Sequence, residues 1–309
     1  MFIREIKEIS EFRGIKKLSS PIPFKKFNIL IGKNNAGKST LMEAILLGTV
    51  PEYKEPITGR SVLEFIRDRH NGAHRLIYKY AGRAKTTCET EKGTITHALA
   101  DNGEFLRGNK HVQIDLHKTS PVIFLPYDTN FMKHINKFLE DKEPEIVKKE
   151  IHTKTARRIS EVLDEEFTEI VLKRDGWYLR RSDASYIHIE DAGDGVKKSV
   201  KVMMLLELLR PKLVLWDDFD TALHPGMLYE LMRWLALGPW QVVLSTHSID
   251  VLYYFNDLSE EIEEFNGQVI LLRKDSQDTL YHRELSPDEI ETLLESNIDP
   301  RLIATELKI

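Results

Sequence analysis

Short apolar runs, set apart by glycine-, proline- and charge-rich stretches, lay out the framework of this chain. Phe2 to Ile9 alternates well enough for a strand, and the mostly apolar Phe27-Asn28-Ile29-Leu30-Ile31 predicts a buried strand. From Ser39 to Leu47, the residues Leu41, Ala44, Ile45 and Leu46 recur at helical spacing, with Gly48 placed to stop the helix. Pro51 to Gly59 is a punctuated connection, after which Val62, Phe65 and Ile66 predict a short helix. Arg75 to Leu116 carries Thr-, Ile- and Val-containing runs broken by Gly93, Asp101-Asn102-Gly103 and Gly108-Asn109, the pattern of an antiparallel meander. Val122-Ile123-Phe124-Leu125, between Pro121 and Pro126, predicts a further buried strand. Asn130 to Asp164 is charged and helical in period, with Phe131, Ile135, Phe138 and Leu139 on one face; such a charge run is read as a solvated helix surface.

The second half alternates more regularly. Phe167 to Leu172 and Tyr186 to Ile189 are strand-like, Val196 to Leu209 is helical, Leu213 to Trp216 is a buried strand, Met227 to Leu237 a helix, and Gln241 to Leu244 a strand. Val269 to Leu272 is the last strand the pattern supports, and Ile290 to Leu294 sits in a terminal helix. Strands alternating with helices argue for an α/β sheet covered on its faces.

With 309 residues and 41% hydrophobic composition, the chain can bury a full core. A formal net charge of -5 gives no global attraction to nucleic acid or to anionic lipid, so net charge lends DNA binding no support. The lone Cys88 excludes an intramolecular disulfide and a multi-cysteine metal site, which points to a reducing setting, and its expected role is packing. No apolar run reaches membrane-spanning length, and Met1-Phe2-Ile3-Arg4-Glu5 does not read as a secretion signal; a cytoplasmic protein away from membranes is expected.

The chemistry is carried by three segments. Gly32-Lys33-Asn34-Asn35-Ala36-Gly37-Lys38-Ser39-Thr40 meets the pattern Gly-x-x-x-x-Gly-Lys-Ser between a predicted strand and a predicted helix. Its glycines let successive N–H groups face phosphates, Lys38 neutralises the β- and γ-phosphates, and the Ser39 hydroxyl is placed to ligate Mg²⁺. An apolar strand ending in Asp217-Asp218 supplies the carboxylate that a magnesium-nucleotide site needs: Asp217 for the metal, directly or through water, and Asp218 for polarising the attacking water. Ser245-Thr246-His247-Ser248 follows another apolar strand, so His247 lies at the carboxyl end of a strand, where open α/β sheets place ligands. This reading is of a phosphate-binding-loop nucleoside triphosphatase with ATP as substrate.

In this order the three segments resemble the ATP-binding-cassette class of ATPases, specifically the heads of the SMC and RecF groups and the overcoming-lysogenization-defect family. Ile9-Ser10-Glu11-Phe12-Arg13-Gly14-Ile15 resembles their first hairpin, which directs Arg13 either to the nucleotide or, as an ordinary hairpin residue, to solvent. Trp216-Asp217-Asp218-Phe219-Asp220-Thr221-Ala222-Leu223-His224-Pro225 is similar to their acidic pair and Leu-His-Pro turn, and Ser245 to Ser248 to their switch-histidine segment. The resemblance covers about residues 1–50 and 185–275. It implies a P-loop NTPase of α/β class with a mixed central sheet, an antiparallel β meander and an inserted helical segment. The expected organisation is one ATPase domain over 1–309, with a β-rich subregion 51–128, a helical insertion 129–165 and a C-terminal extension 274–309.

Such heads also need a signature loop read by the nucleotide of a second subunit, and Asp191-Ala192-Gly193-Asp194-Gly195-Val196 is the candidate, with Gly193, Asp194 and Gly195 at its centre. It departs from the familiar Leu-Ser-Gly-Gly-Gln form. Family members carry Glu where this chain has Asp218; a base drawn back by about 1 Å costs on the order of a hundredfold in rate, so slow hydrolysis is expected. The metal-contacting glutamine of the family is not identified, Gln113 being the single Gln between the phosphate loop and the candidate signature. The chain shows neither long heptad repeats nor the Glu and Asp-x-Asp cluster of an appended nuclease, so a stand-alone head is expected.

The resemblance implies an ATPase that closes as a nucleotide-sandwiched homodimer and regulates a partner in DNA repair, genome maintenance or phage defence. Two other readings use the same loop: a nucleotide-gated interaction module with little turnover, and a small-molecule kinase, for which the switch histidine and the Leu-His-Pro turn would have no purpose.

Overall fold

The computed structural model describes residues 2–163 and 165–303. Asp164, which closes the predicted charged stretch, Met1, and residues 304–309 of the expected C-terminal extension lie outside the described residues. The elements run β1 (Ile3–Phe12), β2 (Ile15–Leu18), β3 (Ile22–Pro23), β4 (Phe27–Ile31), α1 (Lys38–Thr49), β5 (Tyr53–Lys54), α2 (Val62–Arg69), β6 (Arg83–Thr90), β7 (Gly93–Ala100), β8 (Phe105–Arg107), β9 (Lys110–His111), β10 (Asp115–Thr119) and β11 (Val122–Leu125). There follow α3 (Thr129–Asp141), α4 (Glu143–Lys148), α5 (Ile151–Leu163), β12 (Phe167–Lys173), β13 (Gly176–Arg181), β14 (Tyr186–His188), α6 (Asp194–Leu209) and β15 (Leu213–Trp216). The last are α7 (Pro225–Leu237), β16 (Gln241–Ser245), α8 (Asp250–Glu261), β17 (Gly267–Lys274), β18 (Thr279–Leu285) and α9 (Pro287–Glu295).

The chain divides into two units, one made of Met1–Tyr127, Pro211–Phe219 and Pro239–Ile309, the other of Asp128–Arg210 and Asp220–Gly238. In the first unit a mixed sheet has the strand order β11-β15-β16-β4-β17-β18-β2-β1-β6-β7-β8-β9. From β11 to β17 all neighbours are parallel. Every residue of β4, β15 and β16 is buried, as expected for strands covered on both faces. Beyond β18 the predicted meander appears as the antiparallel pairs β6–β7, β7–β8 and β8–β9, joined to the sheet through antiparallel β1–β6; its ends differ, with 3-10 turns before β6 and β10 paired in parallel with β5.

Helix α1 is buried on nearly all sides, which its run of Leu41, Met42, Ala44, Ile45, Leu46 and Leu47 requires. Gly48 does not stop it. The helix continues to Thr49, and a Cβ at Gly48 would lie 2.6 Å from the Cys88 sulfur, so the residue serves the close approach of α1 to β6. Beside it, His97 on β7 donates from Nδ1 to the Gly48 carbonyl at 3.0 Å, fixing the end of α1 to the meander. Strand β18 is an addition to the sequence reading: its Thr-Leu-Tyr-His-Arg-Glu-Leu carries too many polar residues to stand out, yet it pairs along its length with β17.

The second unit holds the helices of the charged stretch, α3 to α5, the antiparallel strands β12 to β14, and α6, which packs on α3, α5 and α7. Trp177 and Leu179 of β13 are buried while their neighbours Tyr178 and Arg180 face outward, the two-residue alternation of a one-sided sheet. Among the described residues, no helix is long and apolar enough to cross a membrane.

Burial pushes the His97 imidazole down to about 4, and its Nε2 has no hydrogen-bond partner among the described residues. The unfolded chain therefore binds more protons than the folded one between its ordinary value of 6.5 and about 4. Stability is full above that window and falls as pH drops through it, by about 2 kcal/mol at pH 5. Replacing His97 with Phe should flatten the change in melting temperature between pH 7 and pH 5, measured by scanning calorimetry, whereas an unchanged slope would assign the loss to other groups.

Candidate functional site

The phosphate loop leaves β4 at Ile31 and enters α1 at Lys38. Gly32 has φ 142°, and a Cβ there would lie 2.4 Å from the Leu272 carbonyl oxygen; Gly37, the residue before the helix, has φ 102°. Both positions are closed to an ordinary side chain, so the glycine spacing of the motif follows from the local backbone. Asn35 adopts φ 63°, a left-handed conformation that asparagine tolerates, and Ala36 donates to the Lys33 carbonyl at 3.0 Å to close the turn. Lys33, Asn34 and Asn35 are exposed, Ser39 is half-buried, and Thr40 is buried. The loop thus presents its backbone and the start of a helix, a ready site for an anion.

Three strand ends meet beside that loop because the parallel strands are in register. Leu244 of β16 is aligned with Ile29 of β4 and with Trp216 of β15, which brings Asp217, Asp218 and His247 to the rim occupied by the phosphate loop. The Lys38 ammonium, buried at 6% exposure, donates to the Gly32 carbonyl at 3.2 Å and to His247 Nε2 at 2.9 Å. Since an ammonium has no acceptor, Nε2 accepts and the imidazole proton is on Nδ1. The same Nε2 is 3.9 Å from Asp218 Oδ1.

Ser245, fully buried at the end of β16, organises the acidic pair. Its hydroxyl donates to Asp217 Oδ1 at 2.6 Å and accepts from the Asp218 backbone N–H at 2.8 Å. Asp218 sits in the left-handed region with φ 44°, which turns the chain directly after β15, and its Oδ1 lies 3.5 Å from the same Ser245 hydroxyl. Asp217 is 8% exposed, and the Asp218 side chain is one-third exposed. Asp217 at the end of β15 and Ser39 in the first turn of α1, which follows β4, are hard-oxygen donors carried by strands held in one register, so their chemistry suits the Mg²⁺ that the sequence implies.

Arg13, expected at the nucleotide or in solvent, is paired within the fold: its guanidinium donates to Glu43 Oε2 on α1 at 2.6 Å, and His70 Nε2 reaches the same carboxylate at 2.9 Å. Burial alone would raise the pKa of Glu43, but the His70 hydrogen bond and the charges of Arg13, His70 and Arg69 outweigh it and hold the carboxyl below its ordinary range. The Leu-His-Pro turn is likewise a helix start, with His224 Nδ1 accepting from the Gly226 N–H before α7 and Pro225 in the first turn.

The candidate signature loop belongs to the other unit and opens α6, with Gly193 as the residue before the helix. Its two glycines differ. A Cβ at Gly195 would lie 2.7 Å from the Ala222 carbonyl oxygen, so that position is small for a reason internal to the subunit, whereas a Cβ at Gly193 would meet nothing within 4 Å. Asp194 extends into solvent and pairs with Lys197 at 3.0 Å.

Three residues given no role by the sequence reading now join the site: Ser245, quoted there only as part of its segment, as the tie between the acidic residues, and Glu43 and His70, which pair beside α1. Tyr127, 61% exposed, follows β11, whose Leu125 is aligned with Trp216, and so stands at the same carboxyl-end rim of the sheet. The signal for Ser245 was present in its place at a strand end, but nothing in the sequence joins Glu43 to Arg13, 30 positions away.

A family model described as "AAA domain, putative AbiEii toxin, Type IV TA system" matches residues 27–252. No curated protein matches the chain in sequence. Solved structures of similar fold include an Smc head bound to the C-winged helix domain of ScpA, 15% identical with TM-score 0.63 over 94% of this chain and 99% of that one. The SMC head domain from Thermotoga maritima is 13% identical with TM-score 0.55, covering 93% of this chain and 100% of that one, and the recombination mediator protein RecF-ATPrS of the RecFOR pathway is 12% identical with TM-score 0.54, covering 92% and 98%.

The ion pair behind the loop sets a testable expectation. Truncating Glu43 to Ala removes the buried countercharge of Arg13 and the hydrogen-bond partner of His70 and should destabilise the chain by about 3 kcal/mol, read from urea unfolding. A loss below about 1 kcal/mol would mean that the cluster contributes little to holding α1.

Proposed function

Because the chain belongs to the AAA-domain family described as putative AbiEii toxin, Type IV TA system, and has the fold of SMC and RecF ABC-type ATPase heads, we propose that it hydrolyses ATP as a nucleotide-sandwiched homodimer that regulates a protein partner. The observation that carries the reading is the meeting of Lys38, His247, Asp217 and Asp218 at one rim, with Lys38 hydrogen-bonded to His247 and Ser245 joining the two aspartates.

The triphosphate lies along Gly32 to Thr40, whose N–H groups and helix start receive its oxygens, and it draws the Lys38 ammonium from His247 Nε2 to the β- and γ-phosphates. Ser39 and Asp217 are the residues that would hold Mg²⁺, which when bound would supply charge neutralisation for the phosphates. Released from Lys38, His247 turns to the γ-phosphate. Asp218 accepts a hydrogen bond from the attacking water, whose oxygen bonds to the γ-phosphorus as the bond to the β,γ-bridging oxygen breaks; the water proton passes by way of Asp218 to a γ-phosphate oxygen, giving ADP and hydrogen phosphate. The short Asp218 side chain makes this step slow. Arg13 pairs with Glu43 on α1, which sets the first hairpin against the helix that carries the loop, and a nucleotide contact by Arg13 remains part of the proposal.

Gly193, Asp194 and Gly195 at the start of α6 receive the γ-phosphate bound by the second subunit, so ATP joins two subunits and its hydrolysis parts them. An Smc head solved with a ScpA winged-helix domain supports a protein partner for a head of this fold. The RecF likeness supports work in genome maintenance, and the family's description as a putative toxin of a type IV TA system supports a defence role. A reducing, cytoplasmic setting fits the single buried cysteine, Cys88.

The Lys38→Ala variant should lose tight ATP·Mg²⁺ binding in calorimetry; affinity equal to that of the wild type would remove the nucleotide assignment. Asp218→Asn should keep binding and lose about a hundredfold or more of the turnover, leaving an ATP-stabilised dimer in light scattering. Gly193→Asp, at the glycine with open space around it, should bind ATP as a monomer and fail to dimerise. A monomeric Asp218→Asn, or a Gly193→Asp that dimerises and hydrolyses normally, contradicts the sandwich. Phosphate release without an added acceptor separates hydrolysis from a kinase and from a module that only binds.

A further inference from the structure

His247 must give up one partner and take another, so what holds its backbone matters for its action. The segment after β16 is tied on one side to the sheet, where the Thr246 N–H donates to the Leu30 carbonyl at 3.2 Å. Within the segment, the Ser248 N–H donates to Thr246 Oγ1 at 2.9 Å and the Asp250 N–H to Ser248 Oγ at 3.1 Å, which shapes the turn into α8. The His247 carbonyl accepts a hydrogen bond from Nη1 of Arg301, 54 positions later in the chain.

Arg301 is itself fixed. Its Nε donates to both carboxylate oxygens of Asp299 at 2.8 and 3.1 Å, and its Nη2 donates to Oδ2 at 2.5 Å. Asp299 Oδ1 also accepts from the Arg301 backbone N–H at 2.9 Å, and the Leu302 N–H donates to the Asp299 carbonyl at 3.0 Å. The result is a turn whose carboxylate aligns the guanidinium fork and leaves Nη1 for the carbonyl of His247. Helix α9, capped by the reciprocal Ser286–Glu289 pair and packed on α8, brings this turn to the site. Only about a quarter of the Arg301 side chain is exposed, while the His247 side chain remains 46% exposed. The backbone of the histidine is held while its ring stays free to exchange partners.

We propose that Arg301, aligned by Asp299, is a positioning residue for His247: the C-terminal turn latches the switch segment so that the imidazole passes from Lys38 to the γ-phosphate without the peptide at 247–248 rotating away. This rests on the reading of His247 as the γ-phosphate sensor. Its reach goes beyond that reading, since it makes residues 299–301 part of the hydrolytic machinery. Lysine cannot replace arginine here, because one ammonium cannot hold the Asp299 carboxylate through two bonds and also reach the carbonyl.

Arg301→Ala should lower kcat by about tenfold while KM for ATP stays within about twofold, because the backbone latch does not contact the part of the loop that binds nucleotide. Arg301→Lys should recover less than half of the lost rate. The decisive arm is the double variant with His247→Ala: if Arg301 acts only through His247, the pair is no slower than His247→Ala alone. A wild-type kcat in Arg301→Ala, full recovery with lysine, or multiplying losses in the double variant would overturn the proposal. Asp299→Asn, which keeps the turn and weakens the fork, should show the same kcat–KM split and serves if Arg301→Ala does not fold. A second readout does not depend on turnover: the ring nitrogen signals of His247 in histidine-labelled protein without nucleotide should shift in Arg301→Ala. If the wild type releases no phosphate while those signals shift, the hydrolytic reading fails and the latch stands; if the wild type hydrolyses ATP and the signals do not move, the latch fails alone.

Discussion

The parallel register of β15, β16 and β4 is the constraint on which the site depends. Those strands are buried on both faces, so their backbone hydrogen bonds must be made within the sheet, and a slip of one residue would turn each side chain to the opposite layer. With Leu244 fixed against both Ile29 and Trp216, the residues that follow each strand emerge together. Lys38 and His247, 209 positions apart, are thereby brought to hydrogen-bond distance, and Ser245 reaches both aspartates.

A site assembled from strand ends also needs a fixed helix, since the loop is only as well placed as the element it enters. Helix α1 is held at two levels. Near its middle, Glu43 is enclosed by Arg13 and His70; near its end, Gly48 lies against Cys88 and its carbonyl takes the His97 N–H. These contacts come from the β1–β2 turn, the end of α2 and the meander, of which only the first belongs to a segment singled out in the sequence. Their physical effect is to hold the helix, and with it the loop backbone, in one place, so that phosphate binding moves side chains such as Lys38 and not the helix. The Arg301 turn does for the switch segment what these contacts do for the helix.

Much of this was legible in the sequence where residue type answers to a local backbone demand. Gly32 and Gly37 occupy positions where a Cβ would collide or the backbone is left-handed, and the apolar runs that flank the motif are the strands and helix they resembled. The acidic pair and His247 were legible because each follows a short apolar run, and an open sheet gathers such ends. Long-range pairing was not. Nothing near Arg13 in sequence announces Glu43, and nothing near His247 announces Arg301. Glycine was the most ambiguous letter: Gly48 read as a helix stop but serves a close approach to Cys88, and Gly195 read as open to phosphate while the Ala222 carbonyl faces it. Strand β18 was hidden because its alternate positions are polar or charged even though it lies inside the sheet order.

The central claim is that one rim, built by strands of a single subunit, binds ATP and needs a second subunit to use it. Sedimentation equilibrium of the wild-type protein, with ATP·Mg²⁺ and then with ADP·Mg²⁺ at the same concentration, tests it most directly when phosphate release is followed in the same samples. The account predicts a mass near twice 35.9 kDa with ATP, a return to the monomer as phosphate accumulates, and a monomer with ADP throughout. Steady phosphate release from a protein that remains monomeric in ATP would contradict it.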